Sequence, residues 1–223
     1  MQKMILFTLL CTALTACAQK KTNNSKKTNT MTDHTVPTTP LPKLQPNVQV
    51  ITLGAGCFWC VEAVFQSLKG VTKVESGYSG GAVPNPSYEQ ICTKTTGHAE
   101  VCNVYYDTTI LKLPELLEVY WLTHDPTTLN RQGADAGPQY RSVIYYNTEE
   151  QKQVCTSIMQ NLDKSGAWPN PIITAIEPFT NFYVAEEYHQ NYYKNNPNQG
   201  YCTYVIRPKM EKFYKVFKDK AVQ

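Results

Sequence analysis

From residue 48 onward the apolar positions follow two periods. VQVITL (48–53) alternates as a strand does, with successive side chains on opposite faces. Phe58, Val61, Val64, Phe65 and Leu68 then recur at helical spacing, and Gly70 closes that helix. VTKVESGY (71–78) alternates again and enters a Gly- and Pro-rich loop, SGGAVPNPSY. HAEVCNVYYD (98–107) is a third strand, with Glu100, Cys102, Val104 and Tyr106 on one face. Pro114 suits the first turn of a helix running to Leu122, which ends before HDP. A long polar loop, TTLNRQGADAGPQ, leads to the strand YRSVIYY (140–146). Thr148 and Gln151 form a capping box for a helix that carries Cys155. IITAIEPF predicts one more strand, AEEYHQNYYKN a last short helix, and the remainder a long coil containing Cys202. The order β-α-β-β-α-β over 48–146 is that of an α+β fold with a ferredoxin-like, split β-α-β core: an antiparallel sheet with helices on one face. No domain boundary is visible between 48 and 210, so 47–223 is read as one domain.

The beginning of the chain has a different grammar. MQKMILFTLLCTALTAC has a basic start at Lys3, an apolar run too short to span a bilayer, and small residues ending at Cys17. Leu14-Thr15-Ala16-Cys17 resembles the bacterial lipobox, in which cleavage leaves the cysteine as a lipid-bearing N-terminus; an ordinary signal cut nearby is the alternative. Residues 18–46 are rich in Thr, Asn, Lys and Pro and poor in core-forming residues, which predicts a flexible tether. The expectation is a lipoprotein-type leader (1–17), a tether (18–46), and a domain held on the periplasmic side of a bacterial envelope by lipid alone.

Charge supports that division. The formal net charge is +3, from 21 basic and 18 acidic residues. Six of the basic residues and Asp33 precede residue 47, leaving 15 basic and 17 acidic residues in the domain. A domain near −2 has no electrostatic footprint for nucleic acid. A monomer is expected.

Eight cysteines remain to be sorted. Cys11 lies in the leader and Cys17 is the lipidation candidate. Cys92, Cys102 and Cys155 lie in or beside predicted elements and read as buried hydrophobes. Cys57 differs. In LGAGCFWCVEAVF it stands where the first strand ends and the first helix begins, after Gly54 and Gly56. Unpaired backbone N–H groups and the positive end of the helix dipole favour a thiolate there, which predicts a thiol pKa below the free value of about 8.5. Cys60, one turn on, is expected to point toward the interior, and Phe58 and Trp59 supply an apolar surface. Three other readings of the CxxC pair stand beside a working thiol: half a zinc site, a thioredoxin-like couple, or two core sulfurs. The zinc reading lacks a second CxxC or a matching His pair at usable spacing, so no metal is expected.

GCFWCVEAVF, GGAVPNPSYEQICTKTTGHAEVCNVYYD, HDPTTLNRQGADAGPQYRSVIYY and AEEYHQNYYKNNPNQGYC together resemble the peptide methionine sulfoxide reductases of the A type, over essentially all of 48–215. The resemblance implies reduction of the S epimer of methionine sulfoxide, free or in oxidised proteins. It implies Cys57 as the nucleophile that becomes a sulfenic acid, and Glu100 as the acid that protonates the sulfoxide oxygen. Tyr88 and Tyr140 match tyrosines that contact that oxygen, Asp135 an aspartate that orders the site, and Phe58 and Trp59 the wall that receives the substrate's methyl group. His98 and His189, in similar stretches, are left structural. Cys202 matches a resolving cysteine on a mobile tail. No third cysteine follows it here, while Cys60 occupies the second place of CFWC. Resolution by Cys202 with relay to Cys60 is the first expectation, and direct Cys57–Cys60 closure the alternative. No bound cofactor is implied; thioredoxin or another dithiol supplies the electrons. Two rivals differ in class: a thiol-disulfide oxidoreductase using Cys57 and Cys60, and a non-enzymatic envelope module that binds through the aromatic pocket.

Overall fold

The computed structural model describes residues 43–222. The expected leader, Cys17 and the tether up to residue 42 lie outside the described residues. The strands are β1 (Val48–Ala55), β2 (Val71–Ser79), β3 (Ala99–Asp107), β4 (Arg131–Gln132), β5 (Asp135–Ala136), β6 (Ser142–Tyr146), β7 (Ala175–Pro178) and β8 (Tyr183–Val184). The helices are α1 (Phe58–Gln66), α2 (Tyr88–Cys92), α3 (Leu113–Thr123), α4 (Glu149–Ser165), α5 (Tyr192–Asn195) and α6 (Arg207–Val216). Six strands form one sheet in the order β7-β6-β1-β3-β2-β8, and β4 and β5 make a separate two-stranded hairpin. Within it β6, β1, β3 and β2 are mutually antiparallel neighbours, the predicted split β-α-β core, and β7 adds a parallel edge.

The alternation of β3 sorts its side chains as its sequence requires. Cys102, Val104 and Tyr106 enter the main core beneath the helices, with Phe58, Val64 and Phe65 of α1 and Leu116, Leu117 and Tyr120 of α3. Ala99 and Val101 point to the other face, where Val143, Tyr145 and Phe182 cover them. Helix α1 ends earlier than expected, at Gln66 with Ser67 as its C-cap, and Gly70 stands in the turn into β2 at φ +88°, where a Cβ would lie 2.6 Å from that of Leu111, so the position accepts only glycine without strain. Thr148 caps α4 by accepting the Gln151 N–H (3.1 Å). The reciprocal half of the expected box is displaced by one residue, because the Gln151 amide oxygen takes the N–H of Asn147 (2.8 Å).

Four further features depart from the sequence reading. The C-terminal segment is not a coil: a π-turn over Cys202–Ile206 runs into α6. Cys202, Ile206, Met210, Phe213 and Phe217 are buried at helical spacing, and burying that stripe holds the segment in helix. Pro208 lies in the first turn of α6, where its missing N–H costs least. The short helix expected over 185–195 is reduced to a 3-10 turn, Glu187–His189, and the four-residue α5. The loop after α3 contains the β4–β5 hairpin. Cys92, finally, is exposed rather than buried, at the end of α2.

Candidate active site

Cys57 is the N-cap residue of α1 and is 8% exposed, on the wall of the core rather than sealed within it. The backbone reaches it through Gly56 at φ +92°, where a Cβ would fall 2.6 Å from that of Gln132. Pairing of β1 with β3, Leu53 opposite Cys102, brings Glu100 beside the end of β1. Its buried carboxyl accepts the N–H of Phe58, the first helical residue, at 3.1 Å. Glu100 is therefore the cap of α1, delivered from the neighbouring strand. The N–H group expected to draw the Cys57 thiol toward its anion is instead spent on a carboxyl.

The electrostatics follow from that exchange. Burial pushes Glu100 up to about 8, against the pull of the Phe58 N–H and helped by Asp135 and Cys60. The carboxyl therefore keeps its proton at neutral pH. Burial also pushes the Cys57 thiol well up, with the hydrogen bond to Cys60 and the charge of Glu100 adding to it. The lowered Cys57 pKa read from the helix start is thus corrected. Cys60 moves the other way, down to about 7, because its sulfur receives the hydrogen bond from Cys57 and feels Lys209 and Tyr201, against its burial. Cys57, Cys60 and Glu100 form one coupled set, in which removing a proton from one group changes the others.

Aromatic rings enclose the thiol. Phe58 is buried against His189 (ring centroids 4.9 Å) and Tyr78 (5.8 Å). Trp59 is half-buried, lies flat on Tyr192 at 3.6 Å, and meets Tyr201 edge-on at 5.6 Å. Its indole N–H donates to His189 Nδ1 (3.0 Å), so the His189 proton sits on Nε2, 3.8 Å from Glu186. Tyr88 and Tyr140 are half-buried, and their phenols are pushed up by burial and by the nearby Glu100 and Cys57. Asp135 Oδ2 accepts the Tyr201 hydroxyl at 2.6 Å, and that oxygen stands 3.9 Å from Cys60 Sγ. The structure therefore gathers Cys57, Cys60, Phe58, Trp59, Tyr88, Glu100, Asp135 and Tyr140 around one place. Cys202 differs from expectation: it is 0% exposed within a helical turn, not on a mobile tail.

Sequence reasoning missed the groups that hold this arrangement. Glu186 accepts the backbone N–H of Tyr88 and the Tyr78 hydroxyl, both at 2.8 Å, fixing the start of α2. Buried Glu62 accepts the N–H groups of Asn191 (2.8 Å) and Tyr192 (3.1 Å), seating Tyr192 on Trp59. His189 and Tyr201 complete the wall. Only α2 had a local signal, since Ser87 and Gln90 form a full capping box. His98 is structural, as expected: its ring nitrogens bond to the N–H of Gly81 (3.0 Å) and the carbonyl of Val83 (2.8 Å), pinning that loop. Among the described residues no group of three His, Cys, Asp or Glu is placed to hold a metal ion.

Comparison with known proteins agrees with this chemistry. Residues 49–221 match the family profile described as peptide methionine sulfoxide reductase. The chain is 53% identical to peptide methionine sulfoxide reductase MsrA 1 of Rhodopirellula baltica, over 80% of this chain and 92% of that one. It is 54% identical to MsrA of Deinococcus radiodurans, over 74% and 80% respectively. Among solved structures, reduced Mxr1 from Saccharomyces cerevisiae superposes with a TM-score of 0.65 at 35% identity, covering 72% of this chain and 93% of that one. Methionine sulfoxide reductase A of Corynebacterium diphtheriae gives 0.63 at 35% identity, covering 72% and 80%. These matches set aside both the thiol-disulfide oxidoreductase and the binding module, and the chain belongs to the peptide methionine sulfoxide reductase family.

Proposed function

We infer that this chain is an oxidoreductase that reduces methionine S-sulfoxide, free and within oxidised proteins, to methionine. The observation that carries the residue assignment is the Glu100 carboxyl on the N–H of Phe58 (3.1 Å), one residue from Cys57 and protonated at neutral pH. The Cys57 thiolate attacks the sulfoxide sulfur while Glu100 gives its proton to the sulfoxide oxygen. The hydroxyl then shifts from the substrate sulfur to the Cys57 sulfur, the bond that the thiolate had formed to the substrate sulfur breaks with its electron pair left on that sulfur, and methionine leaves with Cys57 as a sulfenic acid. Tyr88 and Tyr140 steady the oxygen, Phe58 and Trp59 face the methyl group, and Asp135 orders the wall through Tyr201.

We propose that Cys60 resolves the sulfenic acid first. It shares a hydrogen bond with Cys57 and titrates near neutrality, at about 7, whereas Cys202 is held in a buried turn. The Cys60 thiol gives its proton to Glu100, which had lost its own in the first step, and the resulting thiolate displaces the Cys57 hydroxyl, which leaves as water with that proton as a Cys57–Cys60 disulfide forms. Cys202, within electrostatic reach of Cys60, is the next thiol in line. Thioredoxin or another dithiol returns two electrons and two protons. Cys60→Ser is expected to leave one turnover per chain intact and to slow the following ones, with a sulfenic acid that dimedone traps. Rapid Cys57–Cys202 disulfide in that variant, seen by mass spectrometry, would restore the longer route as the principal one.

The proposal includes place and form: a monomer anchored through lipid on Cys17, on the periplasmic side of a bacterial envelope. The anchor and its side rest on the leader and lipobox sequence, and the monomer is a proposal that size-exclusion chromatography of the soluble form would check. The decisive assay for the activity gives a soluble form both sulfoxide epimers with dithiothreitol. Methionine is expected from the S epimer alone, and equal turnover of both epimers would end the reading.

A further inference from the structure

The hairpin that carries Asp135 has a second side. Gln132 pairs with Asp135 across β4 and β5, packs on Gly56 beside Cys57, and holds the backbone of Asp125 with both ends of its amide (2.9 Å each). Gln132 and Asp125 are also the near wall of a cleft of about 550 Å³ between the end of α3 and α6. Phe213 and Phe217 form its buried floor, while Leu122 and Val216, 42% and 53% exposed, form its apolar lips. Lys209 and Lys212 stand one turn apart on the α6 wall, and neither has an ion-pair partner among the described residues. The only acid of the lining, Asp125, is turned inward, accepting the N–H (2.9 Å) and hydroxyl (2.7 Å) of Thr127.

We propose that this cleft binds the polypeptide on one side of the oxidised methionine, taking an apolar side chain between Leu122 and Val216 and an acidic one at Lys209 and Lys212. The inference rests on the reading that Cys57 attacks a peptide-bound sulfoxide. Two observations favour a substrate chain there. The cleft starts at Gln132, which packs on Gly56, the residue before Cys57, so a peptide with its sulfoxide in the site can continue into it. Its exposed surface joins apolar lips to two unpartnered cations, which complements an apolar residue next to a carboxylate.

The test compares three S-sulfoxide substrates with dithiothreitol as reductant: N-acetylmethionine sulfoxide, a peptide flanking it with Leu and Glu, and one flanking it with Ser and Lys. In the full chain kcat/KM for the Leu-Glu peptide is expected to exceed that for the Ser-Lys peptide by about tenfold. Added salt is expected to narrow the gap. Lys212→Glu is expected to abolish the preference, and Val216→Ser to reduce it by about threefold. Equal handling of both peptides by the unaltered chain overturns the proposal, as does a Lys212→Glu effect of the same size on all three substrates. So does a Lys212→Glu effect confined to assays with a protein dithiol, which would give the cleft to the reductant. Failure of the unaltered chain to reduce any of the three is a different result, since it would remove the reading on which the proposal rests.

Discussion

Cys57→Ser is expected to abolish methionine formation, on the order of 10⁴-fold or more below the unaltered chain. A serine hydroxyl stays protonated where a thiol can ionise, and oxygen cannot take the sulfoxide oxygen to form a sulfenic acid. No neighbouring sulfur can stand in. Cys60 is 3% exposed beneath Cys57, and Cys102 is buried between Phe58 and Ser76, where burial pushes its thiol well up. The measurement is chromatography of free methionine released from the S-sulfoxide with dithiothreitol in excess. Turnover within tenfold of the unaltered chain would move the nucleophile elsewhere and with it every role assigned around Cys57.

The substrate-free site stores its nucleophile as a thiol, because burial opposes a charge on Cys57 and, once Glu100 ionises, its carboxylate opposes a second one. The reactive arrangement is a thiolate beside a neutral Glu100, which carries the same number of protons as a thiol beside an ionised carboxylate. A thiolate therefore appears at Cys57 with least cost while Glu100 is protonated. Reactivity of this sort arises from the coupling of two sites, not from a helix terminus alone.

That distinction marks how far the sequence could be read. The core strands and α1, α3 and α4 were legible because each buries one face, so its period of 2 or 3.6 is written in its apolar residues. The positions of Cys57 and Glu100 followed from their motifs, and the β3 alternation placed Glu100 on the helix-covered face. The helix-start argument failed at Cys57 because a residue 42 positions away had already taken the N–H group, and such long-range competition leaves no local trace. Glu186 and Glu62 were invisible for the same reason: they are acids whose partners are backbone groups about one hundred or more residues away. Helix α6 was a different failure. Ile206, Met210, Phe213 and Phe217 display its stripe openly, but the reading of this segment as a mobile tail carrying Cys202 passed over it.

Glu100→Gln separates catalysis from stability, and the two effects are expected to run in opposite directions. Glutamine keeps an oxygen for the Phe58 N–H and nearly the same volume, but it cannot deliver a proton to the sulfoxide oxygen. The loss of a positioned general acid is expected to cost about 10² to 10⁴-fold in kcat. The reactive pair has one proton fewer than the resting thiol and carboxyl, so the activity of the unaltered chain is expected to rise as pH climbs toward about 8, and in the variant this limb is expected to follow the Cys57 thiol alone. With one anion removed from its surroundings, the Cys57 thiol is expected to ionise at lower pH, read as faster alkylation by iodoacetamide. Stability moves the other way. The carboxyl has its ordinary value of 4.5 unfolded and about 8 folded, so the unfolded chain gains from ionisation that the folded chain resists. The fold therefore loses stability as pH rises from about 4.5 to about 8, by roughly 1.4 kcal/mol per unit, and glutamine removes the loss. At pH 7 the variant is expected to be more stable by on the order of 3 kcal/mol, and at pH 4 by almost nothing. Thermal unfolding of both proteins across that range checks the slope. A difference in melting temperature that does not change with pH would show that the folded chain does not hold Glu100 neutral, and the acid would have to be sought elsewhere in the site.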